Sequence, residues 1–157
     1  MGKRRFTDTD KWNRPWFRSL PVPYRFFWIY ILDNCDMAGV WYVDFELASF
    51  KIKSEINQAE ALVLLEKQII PLSDGTRWLV KDFISFQYGN LNGKTSRVHG
   101  GVLSVVEKHG LTYNADSLSI AYPYPIDSPK DKDKDKDKAK ALEKDKAKVK
   151  ATDKAIC

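Results

Sequence analysis

The sequence predicts an α+β fold, mainly helical, and three stretches carry that expectation. Residues 44–68 read as two short helices with a sharp break between them. Ile69-Ile-Pro-Leu and Trp78-Leu-Val then flank Ser73-Asp-Gly-Thr. Asp-Gly between two apolar runs is a strong hairpin signal, because glycine accepts the positive φ that a tight turn needs. Ahead of both, Tyr24 to Leu32 forms the most hydrophobic segment of the chain. Helix, helix, turn, helix and hairpin is the order of a winged helix-turn-helix. The full expectation is that unit with a small three-stranded sheet, an extra C-terminal helix and a disordered tail.

Residues 1–23 carry Trp12, Trp16 and Phe17 among charges, with Pro15 suited to a first helical position. Trp16 and Phe17 are expected to pack on the core; the alternative is an exposed pair that stacks on bases. Tyr24-Arg-Phe-Phe-Trp-Ile-Tyr-Ile-Leu is apolar nearly all round, which predicts a helix buried by several neighbours, with a dimer contact as the second possibility. Phe27, Trp28 and Ile31 belong to the expected core. Gly39 marks a turn, and Val40 to Val43 have the β-branched and aromatic character of a short strand.

Asp44 can cap a helix that places Phe45, Leu47, Ala48 and Phe50. Lys51 to Ile56 interrupts it. Asn57 can cap a second helix from Gln58 to about Gln68, with Ala61, Leu62, Leu64 and Leu65 on one face. After the hairpin come Phe83, Ile84, Phe86 and Tyr88, then a polar loop from Gly89 to Ser96. Val98, Val102, Val105 and Val106 indicate a further helix that ends at Lys108-His-Gly110. This organisation places the folded domain within 1–111. Residues 112–129 form a proline-containing linker. Residues 130–157 form a Lys/Asp-rich tail with too few apolar side chains to offset chain entropy.

The net charge of +5 is unevenly spread: residues 1–129 hold 15 basic and 14 acidic residues, and 130–157 hold 11 and 7. Most of the basicity therefore lies in the tail, and the pI permits nucleic-acid binding without establishing a basic face. The tail's charges alternate, so a solvated spacer is favoured over a DNA-attracting arm. Two cysteines, Cys35 and Cys157, make no disulfide framework and suggest a reducing compartment. Lys3-Arg-Arg is not followed by an apolar run, so no signal peptide is read. The nine residues from Tyr24 to Leu32 are too few for a bilayer, which needs about 20. A cytoplasmic protein without a membrane partner is expected.

Gly89-Asn-Leu-Asn-Gly-Lys-Thr looks like a phosphate-binding loop but is one residue short of the required spacing. Nucleotide hydrolysis is not read from it. His99, His109, Cys35 and Cys157 stand in no metal-ligand spacing. No nucleophile, base or carboxylate pair is placed for catalysis, so no enzyme, cofactor or metal is expected. DNA binding is the leading function. Its candidate residues are Lys51 and Lys53 before the second helix, and Ser54, Asn57 and Gln58 at its start, where Asn and Gln can read adenine edges. Arg77 and Lys81 in the wing, and Lys94 and Arg97 at the last helix's start, are candidate phosphate contacts. Opposite the second helix's apolar face lie Ala59, Glu60, Val63, Glu66 and Lys67, a poor surface for phosphate. A winged-helix module that binds protein is thus the competing reading, alongside a small transcription regulator.

Lys11-Trp12, Pro15-Trp-Phe-Arg-Ser-Leu20, Leu32-Asp-Asn-Cys-Asp36, Ala38-Gly-Val-Trp41, Val43-Asp-Phe-Glu-Leu-Ala-Ser-Phe50 and Phe83-Ile-Ser-Phe-Gln-Tyr-Gly89 carry a resemblance. Over roughly residues 3–111 the chain resembles bacteriophage replication-initiation proteins, or replisome organisers. It is also similar to the winged-helix N-terminal domain of DnaD-type primosomal proteins. The resemblance implies binding of double-stranded DNA at a phage replication origin, recruitment of a replicative helicase or helicase loader, and possible homo-oligomerisation.

Overall fold

A computed structural model describes residues 3–114 and 119–121. The predicted tail, 130–157, lies outside the described residues. A 3-10 turn, Thr9–Asn13, leads into α1 (Pro15–Ser19) and α2 (Val22–Asn34). Then come β1 (Val40–Tyr42), α3 (Phe45–Ile52), α4 (Gln58–Leu64), β2 (Ile69–Pro71) and β3 (Arg77–Val80). Helices α5 (Phe83–Tyr88) and α6 (Arg97–Lys108) follow, and β4 (Thr112–Asn114) pairs with β5 (Ser119–Ala121). β3 is the middle strand of a three-stranded antiparallel sheet in the order β1-β3-β2. This is the expected winged helix-turn-helix: α3 and α4 are its helix pair, and the β2–β3 hairpin is its wing.

The core begins with Phe27, which is completely buried. Its ring meets Trp41 of β1, Phe45 of α3 and Trp78 of β3 at centroid distances of 5.5, 5.5 and 6.3 Å. Those three also touch one another at 5.3–5.6 Å. One ring from each of α2, β1, α3 and β3 therefore meets the other three. Most of the contacts are edge-to-face, the arrangement the ring quadrupole favours, worth about 0.5–1.5 kcal/mol per pair beyond burial. Trp28 and Ile31 extend this core as expected, and Phe17 packs fully inside while Trp16 is half-buried.

Local chemistry sets the joints. Asp36 Oδ1 accepts from the N–H groups of Ala38 and Val40, closing the turn before β1. Gly39 has φ +81°, and a Cβ there would stand 2.7 Å from the Phe83 side chain. Backbone conformation and close packing both require glycine. Asp44 caps α3 through Leu47 N–H, as its sequence position suggests. Ser96 caps α6 in the same way.

Three expectations need correction. α4 stops at Leu64 instead of Gln68, because the backbone of Gln68 is used by the sheet: its carbonyl accepts from Lys81 N–H at 2.9 Å. The carbonyl of Leu65 accepts from both Gln68 and Ile69, turning the chain into β2. The linker expected from Thr112 begins as a paired strand, held by Tyr113, whose hydroxyl accepts from Leu91 N–H. And α2 is not covered all round. Val22 and Phe26 are more than half exposed, so its outer stripe is bare.

Two outcomes follow from this packing. Phe27→Ala should lower stability by about 3–5 kcal/mol in urea denaturation, whereas Phe26→Ala should change it by less than about 0.5 kcal/mol. Equal losses would show that the rings do not pack as described. The second outcome concerns Cys35, which is fully buried and whose thiol is pushed up to about 12, chiefly by burial. A raised pKa means that the folded state holds the proton more tightly. Its contribution is intact below the ordinary value of 9.0 and is lost as pH rises toward about 12. Buried Tyr24 is shifted in the same direction. Stability should therefore fall above pH 9.0. At neutral pH, alkylation mapped by peptide mass should leave Cys35 untouched, since the thiolate is the nucleophile.

Candidate nucleic-acid interface

The turn between α3 and α4 is held by side-chain and backbone bonds. Lys53 ends α3 in the left-handed conformation (φ 62°), with its N–H on the Ser49 carbonyl. Ser54 N–H shares that carbonyl, and Ser49 Oγ accepts from Ile56 N–H at 3.0 Å. From α2, the buried Tyr24 hydroxyl donates to Glu60 Oε2 at 2.7 Å and accepts from Asn57 N–H at 3.1 Å. One phenol thus ties the start of α4 to α2. Burial and the Glu60 hydrogen bond both hold its pKa above the ordinary range.

The predicted contact residues fall into three groups. Lys51, Lys53, Ser54, Asn57 and Gln58 follow one another along the turn, and all but Ser54 are exposed. Asn57 is already occupied: its Oδ1 caps α4 by accepting from Glu60 N–H. That role competes with reading a base edge, and leaves Gln58 as the open amide. Lys53 lies with its ammonium 4.7 Å from the centre of the Phe50 ring.

Arg77 and Lys81 make up the second group, and both are engaged. Arg77 Nε donates to Asp74 Oδ2 at 2.5 Å, and Nη1 lies 2.9 Å from His109 Nδ1. A guanidinium only donates, so Nδ1 accepts and Nε2 carries the imidazole proton toward Asp36 Oδ2. Asp74, Arg77, His109 and Asp36 thereby join the wing, α6 and the β1 turn. Hydrogen bonds from Thr76 and Arg77 hold the Asp74 carboxyl below the usual carboxylate range, the Thr76 backbone first among them. Arg77 is part of this frame and not a free wing cation. Lys81 donates to the Glu66 carbonyl at 3.1 Å.

Lys94 and Arg97 are the third group, on the α5–α6 loop and the first turn of α6. Among the described residues, no hydrogen bond, ion pair or ring contact joins them to α3 or α4. Asn92 N–H donates to His99 Nδ1, and Lys94 N–H to Asn92 Oδ1, so the loop is ordered by its own bonds.

Sequence reasoning missed two features of this surface. Leu47 and Phe50 of α3 are exposed, and they join Val63 of α4, already read as lying opposite that helix's apolar face and 71% exposed. Their helical spacing could have separated them from the core positions Ala48, Ala61 and Leu65. The other omission is a cavity between the N-terminal segment and α5, to which Lys11 and Arg14 contribute. No local signal announces it, because its walls come from distant parts of the chain. No protein-family model, curated protein or solved structure matches the chain.

Removal of the Tyr24 hydroxyl tests the clamp. Tyr24→Phe leaves Asn57 N–H and Glu60 without this partner, and should cost about 1–3 kcal/mol. Amide exchange should quicken at Asn57 to Ala61 more than in β3. Uniform exchange changes would mean that the hydroxyl does not fix α4.

Proposed function

We propose that the chain is a DNA-binding winged-helix protein acting in phage replication initiation, where it binds duplex DNA through the turn between α3 and α4. The carrying observation is that turn: exposed Lys51 and Lys53 lead directly into Gln58 at the open first turn of α4. Cations beside a helix start supply phosphate contacts, and an amide can read a base edge. The replication role rests on the resemblance of residues 3–111. Origin binding, a helicase or helicase-loader partner, homo-oligomerisation, a cytoplasmic location and the lack of enzymatic activity belong to this same reading. No described helix is long and apolar enough to cross a membrane.

A protein-binding role has its own support. Exposed Leu47, Phe50 and Val63 sit on the helix pair, Glu60 places negative charge on α4, and Glu66 follows just after its end. An apolar, acidic helix face suits a protein partner better than a phosphate backbone.

A gel-shift series on random and origin-like duplexes separates the two. Wild-type protein should bind with an affinity that falls steeply with salt. Lys51→Ala and Lys53→Ala should each lower the slope of log K against log salt by roughly 0.9. Gln58→Ala should narrow the gap between preferred and random DNA. Arg77→Ala should lower thermal stability first, since it loosens the Asp74–His109 frame. Absence of salt-dependent duplex binding at about 50 mM salt would sink the DNA reading and turn attention to Phe50 and Val63.

A further inference from the structure

A cavity of about 200 Å³ opens between the N-terminal segment, α2, the end of the wing strands and α5. Aromatic side chains form much of its wall, including Trp16, Trp28, Phe83 and Phe86. Trp16 and Trp28 stand perpendicular, at 89° and 5.5 Å, and make a corner. A flat ring laid on one indole would turn its own edge toward the face of the other. The N-terminal wall is fastened to α5 by two hydrogen bonds between the Phe6 backbone and the Gln87 amide, at 2.9 and 2.8 Å.

Lys11 gives the cavity its chemistry. It is 8% exposed, the one charged residue buried in the described part of the chain. Its ammonium donates to the Asp8 carbonyl at 3.0 Å and lies 5.8 Å from the Trp12 ring centre. No carboxylate forms an ion pair with it among the described residues, and two of its three donors have no protein acceptor. Buried charges are normally paired. Arg14 and Lys81 line the same cavity. Of the two carboxylates there, Asp8 is already held by Arg14 at 3.0 Å, and Asp82 is exposed. The balance favours an anion with a flat apolar body.

We infer that this cavity takes one unpaired nucleotide, its base among the aromatic walls and its phosphate on Lys11 with Arg14 and Lys81 at the rim. The volume admits a single base and no base pair. Stacking of this kind tolerates any base, since every base has a π-face. The inference rests on the reading that the chain acts on DNA, but uses a different face from the α3–α4 turn. The nucleotide could arrive free or as part of a single strand. An acidic peptide with an aromatic side chain is the rival occupant.

Trp16 and Trp28 make tryptophan fluorescence the natural readout. The full chain would be titrated with an oligothymidylate of about 12 nucleotides, with thymidine monophosphate, with a closed hairpin duplex, and with an acidic phenylalanine-containing peptide. Oligothymidylate should quench the signal. Tighter binding than the monophosphate identifies single-stranded DNA as the source, and equal binding identifies the free nucleotide. Lys11→Met should weaken binding by about tenfold or more, and lower the oligonucleotide salt slope by about 0.7. Arg14 is half-exposed, so Arg14→Gln should keep the wild-type melting temperature while weakening binding; it decides the matter if Lys11→Met fails to fold. No quenching by either nucleotide ligand, unaltered affinity in folded Lys11→Met or Arg14→Gln, or quenching by the peptide alone would overturn the inference. Duplex gel shifts keep the two readings apart. If they persist while the oligonucleotide fails, only the cavity assignment falls. If they vanish while quenching persists, the duplex reading falls and the cavity stands.

Discussion

Four rings hold this domain together. Phe27, Trp41, Phe45 and Trp78 come from α2, β1, α3 and β3, and each meets the other three. Short elements need such a joint. α3 has eight residues, α4 has seven and no sheet strand exceeds four, so none is stable alone. The rings let two helices, one strand and the hairpin share a single packing event. Everything exposed on the helix pair is placed relative to that cluster.

Polar contacts then fix what the rings leave free. Tyr24 reaches from α2 to the start of α4, and Ser49 closes the turn between α3 and α4. At the opposite side of the sheet, His109 receives Arg77 on one nitrogen and gives its proton to Asp36 on the other. Asp36 at the same time holds the turn that brings in β1. A part-buried hydrogen-bonded chain of this kind is worth most when every member is satisfied. The wing arginine is therefore tied into the fold, and in the proposed DNA-binding mode the cations of the α3–α4 turn take its place.

Much of the architecture was legible because its signals are local. Asp44 and Asn57 announce their helices by capping chemistry, and Asp74-Gly75 announces the wing. The apolar spacing of Ala61 and Leu65 gives the inner face of α4. Helix ends were less legible: nothing near Gln68 shows that its carbonyl will be claimed by Lys81, 13 residues later. The bare stripe of α2 was hidden for a similar reason, since composition shows that Phe26 is apolar but not which side its neighbours occupy. The candidate site divides along the same line. Lys51, Lys53 and Gln58 are exposed side by side because they are neighbours in sequence. Arg77 and Lys81 had partners that only the fold reveals.

The charges on the helix pair limit how it can meet DNA. Glu55, Glu60 and Glu66 lie along the segment that a recognition helix would press into the groove, against Lys67 alone. Coulomb repulsion between these carboxylates and phosphates acts over about one Debye length, near 10 Å. α4 therefore cannot lie deep in the groove along its whole length without a penalty. An approach through its N-terminal turn avoids this: Lys51, Lys53 and Gln58 lead, and Glu66 is held away at the far end. Tyr24 draws one Glu60 oxygen toward α2, although the carboxylate stays exposed and charged. If the chain binds duplex DNA as proposed, that pose would contact few phosphates and one domain alone would bind modestly. On that reading, added affinity would come from a second copy or from another face, and the cavity lined by Lys11, Arg14 and Lys81 is the other face proposed above.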